Sequence, residues 1–249
     1  MKVLELFAGT RSIGKAFEKH GHEVFSVEWD KDFENIDLYA DIGQITAEEI
    51  IEKFGHPDVI WASPDCATYS IARIWTFRKR NPETGELEPI HEYAKFCDDV
   101  NQHVLQLIDE LNPKYWFIEN PRGGMRKMSW MQDLPRYTVT YCQYGDTRMK
   151  PTDIWTNYPG PNFKPPCKNG AKCHVAAPRG STMRKAKKRG LDLSNMDIGG
   201  TTYGMRNPKD RSLIPEQLCE HIVNICEGNV PKLAQIELKL DGNGGWSIE

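Results

Sequence analysis

Short apolar segments alternate with amphipathic ones over the first 120 residues, and this alternation constrains the fold more than any other feature. The segments typical of buried strands are residues 2–7, 24–28 and 58–63, a shorter one ending at Asp41-Ile42, and residues 115–120. The segments with apolar residues at helical spacing are 11–20, 46–54 and 92–111. Strands and helices in alternation form a mostly parallel sheet with helices on both faces. We therefore predict an α/β fold.

Two details sharpen the predicted helices. Thr46, with Glu49 three residues later, is typical of a helix N-terminus. In the helix at 92–111 the apolar face is predicted to contain Phe96, Val100, Val104, Leu107, Ile108 and Leu111.

The pattern changes after residue 121. Strands are predicted at 136–145 and 153–157 and a closing helix at 214–228, with Leu218, Ile222 and Ile225 in register. The stretch rich in Pro, Gly and Lys between them is too long for a plain connection, so we interpret it as a small lobe. The predicted division is a main domain at 1–157 and 207–230, a small basic lobe at 158–206 and a frayed tail at 231–249.

Composition excludes several classes of protein. With 39% hydrophobic and 27% charged residues and a mean hydropathy of −0.60, the chain has no segment near the roughly 20 apolar residues of a membrane span. Lys2 leads directly into the first strand, so we expect no signal peptide. Seven scattered cysteines make a disulfide framework improbable and predict a cytoplasmic location, in a bacterium or a phage-infected host cell.

Charge is distributed unevenly along the chain. Its net charge is −3, yet residues 154–191 contain nine Lys or Arg and no Asp or Glu, which leaves −12 on the rest. A basic lobe on an acidic body is compatible with binding a polyanion such as nucleic acid, and equally with a solvated surface.

Candidate site residues follow the ends of the predicted strands, where parallel sheets bind their ligands. The glycine turn after the first strand and Glu28 after the second are typical of a site for a nucleotide-bearing cofactor, and Trp29 either stacks on a flat ring or belongs to the core. Cys66 follows the fourth predicted strand. It is either a nucleophile for an electrophilic carbon or an inert buried thiol. Glu119 ends an apolar strand that raises its pKa and suits it to donate a proton, unless it is an exposed carboxylate.

The order of these motifs resembles the cytosine carbon-5 DNA methyltransferases, particularly the short bacteriophage forms. The likeness extends over residues 2–228 and rests on FAGTRS (7–12), Glu28-Trp29-Asp30, Pro-Asp-Cys (64–66), Glu-Asn-Pro (119–121), TRMK (147–150) and the helix after Ile214-Pro215. Arg11 and Ser12 replace the family's paired glycines, Asp65 separates Pro64 from Cys66, and Ala67 replaces a glutamine.

The resemblance implies a Rossmann-like class I methyltransferase fold, S-adenosylmethionine as cofactor and double-stranded DNA as partner. The implied cofactor contacts are Phe7, Ala8, Gly9, Thr10, Arg11, Ser12, Glu28, Trp29, Asp41, Ile42, Ser63 and Pro64. The implied catalytic residues are Cys66 as nucleophile, Glu119 as acid, and Arg148 or Lys150 as cytosine contacts. The predicted nucleic-acid contacts are Arg73, Arg78, Lys79, Arg80, Lys172, Arg179, Arg184, Lys185, Lys187, Lys188 and Arg189, the last seven in a target-recognition lobe.

The implied reaction adds a methyl group to carbon 5 of a flipped-out cytosine through a covalent Cys66 adduct, in a modifier that guards phage or host DNA from restriction. Two alternatives remain open: a cytosine methyltransferase of RNA, which labelled-methyl transfer to tRNA or DNA distinguishes, and a catalytically silent nucleic-acid-binding relative. The sequence predicts no oligomeric state.

Three potential zinc ligands lie close together in the basic lobe: Cys167, Cys173 and His174. Their spacing is not a standard pair, and a fourth ligand is missing unless Cys142 or a distant histidine supplies it. We therefore expect free thiols here rather than zinc.

Overall fold

The structure is a computed structural model, and it describes residues 1–168, 171–174, 208–229, 239–240 and 246–247. Its strands are β1 (Lys2–Leu6), β2 (Glu23–Glu28), β3 (Leu38–Tyr39), β4 (Val59–Ala62), β5 (Arg78–Arg80), β6 (Leu87–Pro89), β7 (Tyr115–Pro121), β8 (Arg136–Thr140), β9 (Pro151–Thr156), β10 (Lys239–Leu240) and β11 (Trp246–Ser247). Its helices are α1 (Ser12–Lys19), α2 (Ala47–Lys53), α3 (Ile74–Phe77), α4 (Glu92–Leu111), α5 (Ser129–Gln132), α6 (Pro208–Ser212) and α7 (Glu216–Glu227), with 3-10 turns at Met125–Lys127 and Tyr141–Tyr144.

Seven strands form the central sheet in the order β3-β2-β1-β4-β7-β9-β8. The first five are parallel, and β9 runs antiparallel to both β7 and β8. The predicted mostly parallel sheet is therefore confirmed. Its carboxyl-terminal edge gathers the ends of β1, β2, β4 and β7, each of which carries a candidate site residue.

Two hydrophobic clusters cover the two faces of this sheet. On one face α2 and α4 pack against Leu4, Leu6 and Ile60; on the other, α1 and α7 pack against strand residues such as Val3 and Trp61. Neighbouring residues of one strand point to opposite faces, so each central strand is buried on both sides. The predicted helices on both faces are confirmed.

Capping explains why two helices begin and end where the sequence predicts. The Thr46 hydroxyl accepts a 3.2 Å hydrogen bond from the Glu49 amide at the start of α2. Helix α4 spans 92–111 as predicted and ends where Asn112 adopts a left-handed conformation with φ 43°.

Several predicted details are corrected. Phe96 is 49% exposed and stacks on Tyr93, because Cys97 and Val100 occupy the buried face of α4. The strand predicted at 136–145 ends at Thr140 and turns into the 3-10 turn. The tail predicted to be frayed contains the antiparallel pair β10–β11.

Most of the predicted basic lobe lies outside the described residues, as does most of the tail at 231–249. In the part of the chain that the structure describes, no helix is both long and apolar enough to cross a membrane.

Candidate active site

The turn after β1 has an unusual backbone. Phe7, Gly9 and Arg11 all adopt positive φ, near 56°, 50° and 56°. This conformation is easy for glycine and costs other residues about 1 kcal/mol. Arg11 therefore occupies, at an energetic cost, a position that suits glycine, and its guanidinium forms an ion pair with Glu18.

The Glu28 carboxylate organises this turn. It accepts hydrogen bonds from the backbone amides of Gly9 (2.9 Å), Trp29 (2.9 Å) and Asp30 (3.1 Å). These bonds join the end of β2 to the end of β1. Each carboxylate oxygen can accept more than one hydrogen bond, so Glu28 can still receive a ligand hydroxyl at the sheet edge.

The remaining predicted cofactor contacts surround this turn. The Trp29 side chain is 70% exposed, which rules out its interpretation as a core residue. Asp41 is exposed, whereas the Ile42 side chain is buried in the core and leaves only its backbone for a ligand. Ser63 and Pro64 begin the loop that leaves β4.

The turn also meets the C-terminal part of the chain. The hydroxyls of Thr10 and Ser12 lie 3.1 Å apart, and Ser12 accepts a 3.4 Å hydrogen bond from the Ile214 amide. Within the described residues, Arg11 Nε is a buried N–H without a hydrogen-bond partner. An exposed indole and a carboxylate beside a glycine turn fit a ligand that contains a nucleoside.

The loop that carries Cys66 is fixed against the segment after β7. Asn120 Nδ2 donates a 3.0 Å hydrogen bond to the Pro64 carbonyl oxygen, and the Gly124 amide donates a 2.7 Å bond to Tyr69 O. A Cβ on Gly123 would lie 2.4 Å from that same Tyr69 oxygen, so only glycine permits this approach. Cys66 and Glu119 are thus held at adjacent parallel strands.

The Cys66 thiol is partly exposed and not activated in the free protein. Burial raises its pKa to about 11, and the charges of Asp65 and Glu119 add to this effect, whereas Lys150 lowers the pKa. Asp65 itself is held by the Ala67 amide (3.0 Å) and the Tyr93 hydroxyl (2.5 Å). The residue inserted between Pro64 and Cys66 therefore shapes the turn and opposes thiolate formation.

The Glu119 carboxyl is buried at 6% exposure. Burial raises its pKa, while Lys150 and a 2.8 Å hydrogen bond from the Tyr141 hydroxyl lower it. Tyr141 is a site residue that sequence reasoning missed, because its contact with Glu119 spans 22 residues and joins the 3-10 turn after β8 to β7.

Arg148 and Lys150 take different positions. Lys150 Nζ donates a 3.0 Å hydrogen bond to Arg211 O and lies 4.5 Å from the Tyr141 ring centre. Burial lowers the pKa of Lys150, and Glu119 and Cys66 raise it. Arg148 Cζ lies 5.9 Å from the same Tyr141 ring centre, and its guanidinium bonds Asp146 and the carbonyls of residues 210, 211 and 213.

The segment after Cys66 forms α3 and the β5–β6 hairpin. Arg73, Lys79 and Arg80 are exposed on it, as predicted for nucleic-acid contacts. Ile71 and Trp75, which the sequence did not single out, are 67% and 64% exposed beside them.

Arg78 is a correction. It is 1% exposed, and its Nη atoms bond the two Asp98 oxygens at 2.7 and 2.8 Å while its guanidinium lies 4.4 Å from the Tyr69 ring centre. These contacts make Arg78 a core residue, out of reach of a phosphate. Arg78, Lys79 and Arg80 are three consecutive basic residues, and the sequence alone does not show that the first of them faces inward.

The other predicted nucleic-acid contacts are only partly within the described residues. Lys172 is exposed. The remaining six, which lie outside the described residues, are Arg179, Arg184, Lys185, Lys187, Lys188 and Arg189.

The three potential zinc ligands that the sequence places close together also meet in space. Cys167, Cys173 and His174 meet Cys142 from the 3-10 turn at Tyr141–Tyr144, and one sulfur or nitrogen atom of each lies within 4.8 Å of the others. Cys142 is therefore the candidate for the fourth ligand that the sequence left open.

Comparison with known proteins identifies the family of this chain. The sequence profile of the C-5 cytosine-specific DNA methylases matches residues 1–129, just over half of the chain. This chain belongs to that family. The match covers the glycine turn, Glu28, Cys66 and Glu119.

A viral relative and a solved structure are similar to this chain beyond residue 129 as well. A probable DNA (cytosine-5)-methyltransferase of Frog virus 3 (isolate Goorha) is 28% identical over 228 residues, which cover 88% of this chain and 99% of the relative. Among solved structures, the Entamoeba histolytica methyltransferase EhMeth aligns with a TM-score of 0.53 at 9% identity, over 93% of this chain and 99% of that one.

A second solved structure, a putative DNA modification methyltransferase encoded within an E. coli prophage, has a TM-score of 0.48 at 18% identity and covers 63% of this chain. This chain spans only 46% of that longer protein. The sheet order and the likeness to EhMeth confirm the predicted Rossmann-like methyltransferase fold.

Proposed function

We propose that this protein transfers a methyl group from S-adenosylmethionine to carbon 5 of a flipped-out cytosine in DNA, through a covalent adduct with Cys66. The observation that carries the proposal is the joint environment of three side chains. Cys66 lies in the loop after β4, Glu119 lies on the adjacent parallel strand β7, and the buried Lys150 ammonium interacts electrostatically with both. A nucleophile, an acid and a cation around one cleft suit addition to an electron-poor ring.

The cofactor would be held by the turn at residues 7–12, with Glu28 receiving the ribose hydroxyls, the exposed Trp29 ring covering the adenine and Asp41 at its edge. When bound, S-adenosylmethionine supplies an electrophilic methyl group on a sulfonium.

Cys66 begins the reaction as a thiol, because its pKa of about 11 leaves little thiolate at neutral pH. Lys150 is the charge that favours the thiolate as the proton leaves to solvent. The sulfur then bonds carbon 6 of the cytosine ring as the double bond between carbons 5 and 6 opens.

Glu119 acts on the opposite edge of the base. Its raised pKa keeps a proton available for ring nitrogen 3, which neutralises the charge that sulfur addition delivers to the ring. Carbon 5 is then electron-rich and would bond the methyl carbon as the methyl–sulfonium bond breaks and the neutral thioether S-adenosylhomocysteine leaves. A solvent-derived base removes the carbon-5 proton, the double bond re-forms, the Cys66 sulfur leaves, and nitrogen 3 returns its proton to Glu119.

The DNA would approach the face that carries α3 and the β5–β6 hairpin. Arg73, Lys79 and Arg80 are exposed there and would contact phosphates. The basic segment after β9 would supply further positive charge. Cytosine carbon 6 is stacked inside a duplex, so the base has to be flipped out at a cost of a few kcal/mol.

The decisive experiment combines two readouts. Duplex DNA incubated with the protein and S-adenosylmethionine, then digested to nucleosides for mass spectrometry, is expected to contain 5-methyldeoxycytidine; a parallel reaction with tRNA is expected to show no methyl gain. DNA with 5-fluorocytosine at a methylated position is expected to attach covalently to Cys66, since fluorine cannot leave as a proton does.

The control pair for this experiment is Cys66→Ser and Cys226→Ser. Cys226 lies in α7, far along the chain from the cleft, so its replacement is expected to preserve both readouts. Methylation of adenine, a methyl gain only on tRNA, or trapping that survives Cys66→Ser would refute the proposal.

A further inference from the structure

We propose that Cys142, Cys167, Cys173 and His174 bind one structural Zn²⁺ ion. This site lies apart from the proposed catalytic cleft and is formed by two segments, the 3-10 turn after β8 and the stretch at 167–174. Cys142 and His174 are buried and Cys173 is exposed, so the cluster sits at the surface with one open side.

Three of the six separations between the ligand atoms match a tetrahedral site. Zinc holds sulfur at about 2.3 Å and imidazole nitrogen at about 2.0 Å, which places ligand atoms roughly 3.5–3.8 Å apart at the corners of a tetrahedron. In this protein Cys142 Sγ lies 3.7 Å from Cys173 Sγ, and His174 Nδ1 lies 3.5 Å from Cys167 Sγ and 3.6 Å from Cys173 Sγ.

One separation is shorter. Cys142 Sγ and Cys167 Sγ lie 3.0 Å apart, well beyond the ~2.05 Å of a disulfide bond. A metal ion explains the convergence of all four.

The donor set selects the ion. Three thiolates and one imidazole are soft and borderline ligands that suit zinc, whereas calcium and magnesium require oxygen ligands. Four protein ligands leave no position for water or substrate, so the site is of the closed, structural kind.

Neighbouring groups are placed as outer contacts of such a site. The Gln143 side-chain amide donates to Cys173 Sγ at 3.5 Å, and the Cys167 amide donates to the Thr140 hydroxyl at 3.0 Å. Contacts of this kind orient ligands and stabilise thiolates.

The position of the site indicates what the ion stabilises. Cys142 directly follows Tyr141, the residue that donates to Glu119, and the other three ligands lie on the basic stretch that follows β9. Lys164, just before them, donates to the Gln143 carbonyl at 3.0 Å. Zinc would therefore fasten the first part of the basic segment to the turn that supports the proposed acid.

The test uses the full chain, purified without chelator and analysed for metal by mass spectrometry. One zinc per chain is expected. Cobalt substitution of that ion is expected to give a thiolate-to-cobalt charge-transfer band and a tetrahedral visible spectrum.

Paired variants locate the ion. Cys173→Ser alters an exposed ligand that the fold tolerates, and is expected to weaken zinc binding on the order of 100-fold or more, measured by competition with a chromogenic chelator. Cys66→Ser changes a cysteine outside the cluster and is expected to retain one zinc. A metal-free chain, zinc retained at full affinity by Cys173→Ser, or a Cys142–Cys167 disulfide in the freshly purified protein would overturn the proposal.

Discussion

The Asn120 side chain donates a 3.0 Å hydrogen bond to the carbonyl oxygen of Pro64, and this bond joins the strand that carries Glu119 to the loop that carries Cys66. Asn120 is fully buried, so the bond is shielded from water. It fixes the distance between a proposed nucleophile and a proposed acid that come from different parts of the sequence.

Asn120→Ala is expected to loosen this alignment. Loss of one buried hydrogen bond of about 1–3 kcal/mol at the reacting groups predicts a fall in kcat of roughly ten- to hundred-fold. Cofactor affinity, measured by titration calorimetry, is expected to stay the same. The matched control is Asn157→Ala, which removes a similar amide at the opposite end of β7, where Asn157 accepts from Trp116 N. Equal losses of kcat in both variants would contradict the assignment.

Asp65→Asn is expected to make Cys66 more reactive. The Asp65 carboxylate raises the pKa of the Cys66 thiol, and an amide of the same shape retains the bond from the Ala67 amide without the charge. Alkylation of Cys66 at pH 8, followed by peptide mass spectrometry, is expected to be roughly two- to five-fold faster in low salt.

Tyr93→Phe is the control for this charge effect, since it removes the hydroxyl partner of Asp65 but leaves the carboxylate. Its alkylation rate is expected to stay near that of the unaltered protein. A slower rate in Asp65→Asn would show that the turn, rather than the charge, governs Cys66.

Arg78→Met is expected to destabilise the protein without a specific loss of DNA contacts. Leaving Asp98 buried without its partner predicts a loss of about 3–5 kcal/mol in the free energy of unfolding, measured by urea denaturation. Replacing both partners, as Arg78→Met with Asp98→Leu, is expected to cost less than the single change.

Arg80 is exposed, so it is the control residue for the buried Arg78. Arg80→Met is expected to leave the free energy of unfolding nearly unchanged. It is expected to reduce the slope of log DNA affinity against log salt concentration by about the share of one phosphate contact. If Arg78→Met folds as stably as the unaltered chain, the buried ion pair does not have the role described here.

Glu5 is expected to make stability depend on pH. Burial raises its pKa from 4.5 in the unfolded chain to about 7, so the unfolded state binds fewer protons between these values. Stability attributable to this group is therefore highest at low pH and falls as pH rises toward 7, by an amount on the order of 3 kcal/mol. Glu5→Gln is expected to flatten this part of the profile, whereas Glu48→Gln, on the exposed side of α2, is expected to leave it unchanged.

Local signals explain which parts of the fold the sequence predicts well. Helix α4 has its predicted bounds because its limits depend on residues 91 and 112 alone. The alternation of strands and helices also predicts a parallel sheet. That topology alone places Cys66 and Glu119 at one edge of the sheet.

Long-range side-chain pairs explain what the sequence does not predict. The bonds of Tyr141 to Glu119 and of Arg78 to Asp98 join residues about twenty positions apart, with no pattern between them. Cys142 meets Cys167 across 25 residues for the same reason. Each pair depends on how strands turn back on one another, which composition and periodicity leave undetermined.

The packing of α7 against α1 has a consequence for synthesis of the chain. Ile13 and Phe17 share a cluster with Leu218 and Ile222, which are synthesised roughly 200 residues later. A growing polypeptide on the ribosome therefore keeps the apolar face of α1 uncovered until α7 has also emerged. We expect chaperones to bind α1 during this interval.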